Sequence, residues 1–409
     1  MYIKIYPVTT IPEIDQKKMK ETIVREKLTS INNILAQSSC REHGLAGGSL
    51  GLSYYYFHAG RALEDDRLAD KGAALLQGLF EDLNTGGNGM RGSFLCDGGA
   101  GLGYVMNYLQ GNGFLDFDVD EELVGLDEFL FESALAHIGE DNMDFLYGSM
   151  GIFYYFATRR QTPAINRYLN ELAQPILAKP IHTDYGVWVR NLGLTRDKYK
   201  EVNFSLSHGM TGYLLPLIAA WPHLRDKETA EKVIRQGISF IMKYECPVDF
   251  GYNEYSYFPC YFLEDDGEMT RINRLAWCYG DLNEVLLLYR AGKLLGDDRY
   301  LNIANRIGLQ TVTRRSYEST LSQDTHFCHG HSGLARFYKS LFIETGIPAY
   351  KAAADYWLDA ALSLIDKEIV DDHYSANNVS LLEGWAGVGL VLADHLLGRD
   401  CSWARILLL

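Results

Sequence analysis

The sequence predicts an all-α fold of seven helix pairs in two layers, and three observations carry that reading. A tetrapeptide Gly-x-x-Gly, each time followed by an apolar run, recurs along the chain in seven copies, one of them with Asn in the second glycine's place. A longer stretch with helical periodicity precedes each copy. The segments after the glycines are apolar nearly all round (IFYYFA, VLLLYR, VGLVLA), as an inner layer must be, whereas the preceding stretches alternate charged and apolar residues, as an outer layer does.

In chain order, a periodic stretch over 14–37 leads to Gly48–Gly51 and LSYYYF, and a second over 64–82 leads to Gly98–Gly101 and LGYVMNYL. The third runs over 122–138 and meets Gly148–Gly151 and IFYYF; the fourth, over 163–178, precedes Gly209–Gly212 and YLLPLIAAW. The fifth, over 226–244, meets Gly280-Asp281-Leu282-Asn283 and EVLLLY, with Asn283 in the second glycine's place. The sixth (297–316) precedes Gly330–Gly333 and LARFYKSLF, and the seventh (348–368) precedes Gly384–Gly387 and VGLVLADHLL. Glycine at an inner-helix start permits a sharp turn and close backbone approach, and leaves amide donors pointing outward. Asn tolerates left-handed or capping geometry, so the fifth turn is expected to survive its exception.

The second motif positions, 51, 101, 151, 212, 283, 333 and 387, are separated by 50, 50, 61, 71, 50 and 54 residues. The two long intervals mark insertions near 182–203 and 246–274. The second contains GYNEYSYFPCYF, whose aromatic content suits a structured cover over a pocket. Neither is rich enough in Gly, Ser or Pro to be a flexible joint, so one domain over 1–409 is expected. An open solenoid is the competing architecture, but its helical repeats are shorter than these and its last repeat ends polar; here the chain ends apolar, CSWARILLL. A closed ring fits better.

Hydrophobic residues are 47% and charged residues 22%, which excludes a disordered or collagen-like chain. Lys plus Arg is 38 against Asp plus Glu 53, a net charge of −15, which argues against a nucleic-acid or anionic-membrane binder. The opening MYIKIYPVTTIPEIDQKKMK lacks the basic-then-apolar order of a secretory signal. No stretch approaches a membrane span; the longest apolar candidate, Tyr213–Trp221, is interrupted by Pro216. A soluble cytoplasmic protein is expected. The seven cysteines, Cys40, Cys96, Cys246, Cys260, Cys278, Cys328 and Cys401, are odd in number and widely spread, unlike a disulfide framework.

The chemistry lies immediately before the glycines. The fifth turn reads Trp277-Cys278-Tyr279-Gly280, the sixth Phe327-Cys328-His329-Gly330-His331 and the fourth Ser207-His208-Gly209. If all inner helices begin at one end of a ring, these turns converge. Cys278, Cys328 and His329 then offer two thiolates and an imidazole to one ion, a donor set that selects Zn²⁺ and leaves a fourth position open for substrate. A single cysteine is ordinarily a packing thiol; two at one repeat position, one beside a histidine, favour the metal. Spacing does not choose His329 over His331, and His326 is also available. The remaining five cysteines default to packing.

WCYG at 277–280 and CHG at 328–330, with SHG at 207–209 and seven glycine turns, resemble the lanthipeptide cyclases of the LanC-like family, over about 44–397. The resemblance implies a double α/α toroid of seven inner and seven outer helices. It implies an enzyme that uses one zinc ion to add cysteine thiols to dehydroalanine or dehydrobutyrine in a dehydrated precursor peptide, closing thioether rings. On it, Cys278, Cys328 and His329 match the zinc ligands and His208 the acid/base histidine. Asp144, Arg274 and Tyr279 match residues near the reaction centre. It also implies a precursor peptide as substrate, a dehydratase and an export transporter as partners, and a cytoplasmic place or one at the inner face of the membrane. Two other readings remain at this stage: a zinc thiol-alkylating transferase of prenyltransferase type, and a zinc-containing peptide- or glutathione-binding protein without catalysis.

Overall fold

A computed structural model describes residues 13–40, 42–87, 89–191, 201–263, 267–398 and 402–409. Cys401 and part of each insertion lie outside these residues. The chain begins with α1 (Glu13–Leu35) and α2 (Ser49–Leu63), then α3 (Asp66–Asn84) and α4 (Gly99–Gly111). A single-turn α5 (Val119–Glu122) leads into α6 (Val124–Gly139) and α7 (Ser149–Thr158). The fourth and fifth pairs are α8 (Pro163–Ala178) with α9 (Met210–Ala220), and α10 (Lys227–Lys243) with α11 (Leu282–Leu295). Next come α12 (Asp298–Thr311), a single-turn α13 (Tyr317–Thr320) and α14 (His331–Thr345), and finally α15 (Pro348–Val370) with α16 (Trp385–Leu397). Apart from the two single-turn helices, outer and inner elements alternate as the sequence predicts.

The two kinds of helix start differently. Four outer helices, α3, α8, α10 and α12, are capped by side chains: the carboxylates of Asp65, Asp226 and Asp297 and the Thr162 hydroxyl accept from first-turn amides. They bury one stripe; α3 packs Leu68, Gly72, Leu76 and Leu79 inward, each leucine worth roughly 2 kcal/mol. Six inner helices begin on an uncapped glycine, α11 instead on Asp281, and they bury nearly every face; α7 is buried from Ser149 through Ala157. Their first amides do not point outward for a ligand, as the sequence suggested. The amides of Ser49, Gly99, Ser149, His331 and Trp385 each donate to the carbonyl seven residues back, at 2.8–3.1 Å.

The second glycine is required by close approach and not by φ. A Cβ at Gly51, Gly101, Gly151, Gly212, Gly333 or Gly387 would lie 1.8–2.3 Å from the carbonyl oxygen six residues back. The fifth turn solves the same problem differently. Gly280 takes φ +110° and makes that approach to Arg274 O, at 2.1 Å for an added Cβ. Asn283 is neither left-handed nor a cap. It lies inside α11, fully buried, its Oδ1 accepting from Leu206 N (2.9 Å) and its Nδ2 donating to Trp277 O (2.9 Å).

Hydrogen bonds between turns close the ring. Ala46 N donates to Cys96 O (2.8 Å), Cys96 N to Leu146 O (3.1 Å), Trp277 N to Cys328 O (3.1 Å) and Cys328 N to Leu382 O (2.8 Å). The seventh turn returns to the first through Leu381 N and Ala46 O at 2.7 Å. The apolar C-terminus fills the centre of the ring and caps no solenoid end. Tyr54 donates to Trp403 O, Tyr154 to Arg405 O, Trp277 Nε1 to Leu407 O and Arg290 to Leu408 O. Both insertions form strands: a hairpin of β1 (Ile181–Thr183) and β2 (Gly186–Trp188), and an antiparallel sheet of β3 (Glu201–Asn203), β4 (Tyr261–Leu263) and β5 (Met269–Thr270). The β3–β4 pairing joins the two insertions into one structured wall.

Candidate metal centre and active site

The ring brings Cys278 of the fifth turn to Cys328 and His329 of the sixth. One donor atom from each lies within 4.8 Å of the other two. Cys328 and His329 hold the Cys278 sulfur well below the ordinary thiol range, while that same neighbouring thiol, with burial, pushes Cys328 up. Two sulfurs competing for one proton form a site that a cation would occupy in its place. The Nδ1 atom of His329 is buried without a hydrogen-bond partner. Two sulfurs with an imidazole, and an unsatisfied ring nitrogen beside them, fit Zn²⁺. Neither of the two alternative histidines belongs to this cluster. His326 accepts from His329 N through Nδ1 (3.3 Å) and faces Asp324 through Nε2 (3.3 Å); burial lowers it to about 3. His331 lies over Trp357.

Cys96 occupies the same turn position as Cys278 and Cys328, yet packs. Its thiol donates to the Tyr147 hydroxyl at 3.1 Å, and burial drives it up to about 12. The turn position alone therefore makes no ligand.

Beside the triangle, the third and fourth turns meet through Asp144 and His208. His208 Nδ1 lies 2.9 Å from Asp144 Oδ2. Asp144 is completely buried, and its Oδ1 accepts from the amides of Leu146 (2.8 Å) and Tyr147 (2.7 Å). The aspartate thus holds its own turn with one oxygen and the histidine with the other. That fixes the Nδ1–H tautomer of His208 and leaves Nε2 as the free ring nitrogen. His208 lines a cavity of about 200 Å³ together with Met143, Asn191, Glu201, Asn203 and Tyr279. Tyr279 accepts from Asn203 Nδ2 (2.9 Å) through its hydroxyl, and burial pushes the phenol up to about 12, so it stays protonated. Arg274 acts on both thiols with its charge, favouring their ionised forms, and its buried Nε has no hydrogen-bond partner.

Sequence reasoning missed three residues here. Asn191 Nδ2 donates both to Asp144 Oδ2 (3.0 Å) and to the His208 carbonyl (2.8 Å), clasping the pair. Asn203 Nδ2 links Glu201 Oε1 (3.0 Å) to Tyr279, and burial raises the Glu201 carboxyl. Asn203 had a signal: it stands six residues before its glycine, as Asn142 does, and both accept an amide two residues on. Asn191 and Glu201 lie in or at the edge of an insertion without period and had none. A larger cavity, about 880 Å³, opens between α1, α14, α15 and α16, but its charges are consumed in pairs such as Lys20–Asp359 and Lys339–Asp394.

Fold and site together define a closed α/α ring that carries a thiolate–imidazole triangle and a histidine–aspartate pair on its turns. A protein-family model described as "Lanthionine synthetase C-like protein" matches residues 39–408, and the chain belongs to that family. Among solved structures, "Nisin cyclase" superposes with a TM-score of 0.75 over 96% of this chain and 98% of that one, at 17% identity. That likeness bears on the fold alone. A search of curated protein sequences gives no match. Among the described residues no helix is long and apolar enough to cross a membrane.

Proposed function

We propose that this chain is a zinc-dependent lanthionine cyclase, a single α/α ring domain that adds peptide cysteine thiols to dehydroalanine or dehydrobutyrine in a dehydrated precursor. The observation that carries the reading is the triangle of Cys278, Cys328 and His329 beside the Asp144–His208 pair. Cys278, Cys328 and His329 would hold the zinc, which when bound supplies a Lewis acid that deprotonates a substrate thiol yet, already bearing two thiolates, leaves its sulfur nucleophilic.

In the reaction the thiol's S–H adds across the Cα=Cβ bond. A sulfur–Cβ bond forms, the π bond breaks toward the carbonyl as an enolate, and a proton returns to Cα; nothing is oxidised and mass is unchanged. Arg274 offers charge to the enolate oxygen. His208 takes the thiol proton at Nε2 and returns it to Cα, held in that role by Asp144 at Nδ1 and by Asn191, which donates to the Asp144 carboxylate and to the His208 carbonyl. The protonated Tyr279 phenol donates a hydrogen bond into the cavity. The metal-type cluster contains no carboxylate, which disfavours the prenyltransferase-type alternative. An acid–base pair beside the thiols is superfluous for a protein that only binds. The precursor peptide is the substrate, a dehydratase and an exporter are the partners, and the protein works in the cytoplasm.

The test is the full-length protein, loaded with zinc, incubated with a dehydrated cysteine-bearing peptide. Free thiol should disappear without a change of mass, and the Cys328→Ala variant should lose both zinc and rate. Thiol loss at the uncatalysed rate with zinc bound overturns the proposal.

A further inference from the structure

The net charge of −15 is not spread evenly round the ring. Residues 92–158 contain twelve Asp and Glu and no Lys or Arg. Within this arc α6 differs from every other outer helix: α1, α3, α8, α10, α12 and α15 all carry Lys or Arg, and α6 carries none. Its solvent face consists of Val124, Gly125, Glu128, Phe129, Glu132, Leu135, Ala136 and Gly139. At 100° per residue these fall within an arc of about 140°. Val124 is 53%, Phe129 47% and Leu135 39% exposed, and Phe117 at the foot of α5 adds another 47%. A Cβ at Gly125 or Gly139 would meet nothing within 4 Å, so the face is open along its length. An outer helix normally covers its exposed side with charges of both signs; this one presents a smooth apolar face with two carboxylates in its middle.

The acids define what can cover it. Asp118, Asp120, Asp127 and Asp141 are already paired with Arg159, Arg160 or Lys179. Glu121, Glu122, Glu128 and Glu132 are exposed and make no ion pair among the described residues. A second copy packed two-fold on this face would set Glu128 and Glu132 against their own kind. An anionic membrane would be repelled, and interfacial helices carry the bases this one lacks. We propose that the α6 face is a docking site for a partner protein that presents a basic amphipathic helix. The partner's apolar residues would pack on Val124, Phe129 and Leu135, with Gly125, Ala136 and Gly139 allowing close approach. Its Lys or Arg would meet Glu128 and Glu132. The C-terminal end of α6 runs directly into the turn of Asp144, so the partner sits on the flank of the candidate active site. This inference rests on the outer wall and stands whether or not the ring catalyses cyclisation.

The test uses the full-length protein and a labelled amphipathic peptide of about eighteen residues, leucines on one face and lysines on the other. Binding followed by anisotropy should saturate, and deuterium exchange should fall only between residues 117 and 139. The double variants Glu128→Lys/Glu132→Lys and Phe129→Ser/Leu135→Ser, whose circular dichroism should be unchanged, should each weaken binding at least about tenfold. Protection elsewhere, undiminished binding by either variant, or equal binding of a scrambled peptide of the same composition overturns the proposal. So does a self-association in sedimentation that the same variants abolish, which would assign the face to a second copy.

Discussion

Replacing Asn283 with the glycine that six of the seven turns carry at this point should weaken the protein. The repeat pattern makes Asn283→Gly look like a repair, but the contacts argue otherwise. Asn283 is fully buried, and its amide serves two backbone groups of different turns: Leu206 N, itself fully buried, and Trp277 O. Removing it leaves a buried N–H and a buried C=O without partners, at roughly 1–3 kcal/mol for the N–H and less for the carbonyl, which keeps a second acceptor direction. Glycine in the first turn of α11 adds about 0.5–1 kcal/mol of backbone entropy. The sum is about 3–4 kcal/mol. No gain offsets it, because Gly280 already makes the close approach that a second glycine makes elsewhere. At about 2 cal/mol/K per residue, a chain of this length has an unfolding entropy near 0.9 kcal/mol/K, so Tm should fall by roughly 3–5 °C. Because Trp277 adjoins Cys278, zinc affinity measured by competition with a chromophoric chelator should fall as well. A variant as stable as the native protein, or more so, would refute the assignment of Asn283 as the bridge between the fourth and fifth turns.

Three further changes probe separate features. Gly333→Ala would set a Cβ 1.8 Å from Phe327 O, one residue before Cys328, and should cost both Tm and zinc stoichiometry, while Gly47→Ala, with nothing within 4 Å, should melt like the native protein. Asn191→Ala should leave zinc content and fold intact while releasing the Asp144–His208 pair, with cyclisation slowed by about 10–100-fold, and a rate within error of native would remove Asn191 from the positioning machinery. His58 is buried, and burial lowers it to about 4 from the usual 6.5, so the unfolded chain binds a proton there that the folded one refuses. Its contribution is therefore whole above about pH 6.5 and lost progressively toward pH 4, by about 3 kcal/mol, so His58→Gln should flatten the fall in denaturation midpoint between pH 7 and pH 4.5.

The ring was legible because its determinants are steric and periodic. A glycine at which any Cβ would lie 1.8–2.3 Å from a carbonyl oxygen leaves no room for a side chain, and a helix buried on every face must be apolar on every face. The fourth outer helix was read with its observed ends, 163 and 178. The sixth was read to 316 but stops at Thr311, because Arg314 turns inward. It bonds Asp281 at 2.6 Å and the carbonyls of Asn273 and Ser319, and no periodicity announces a buried arginine. The cysteine–cysteine–histidine triangle was visible because two of its members share a repeat position. The clasp of Asn191 and the Glu201–Asn203–Tyr279 chain was not. Those contacts depend on how two insertions, some sixty residues apart, pair as β3 and β4.

That pairing bears on why the chemistry sits on turns at all. The separation of two thiols on flexible loops would be set by the metal they bind. Here the turns bearing Cys278 and Cys328 are joined by the Trp277 N–Cys328 O bond, and Trp277 is anchored again through Nε1 to Leu407 O in the central plug. Cys328 N is in turn held by Leu382 of the seventh turn. The spacing of the three candidate ligands is thus set by ring closure. On the other side, Asp281 begins α11 while accepting from Tyr257 N and Phe258 N and pairing with Arg314, so the aromatic insertion is pinned to the same turn that carries Cys278. The wall of the cavity and the candidate metal ligands therefore share one support, and a change in either insertion should register at the thiols before it registers in the helices.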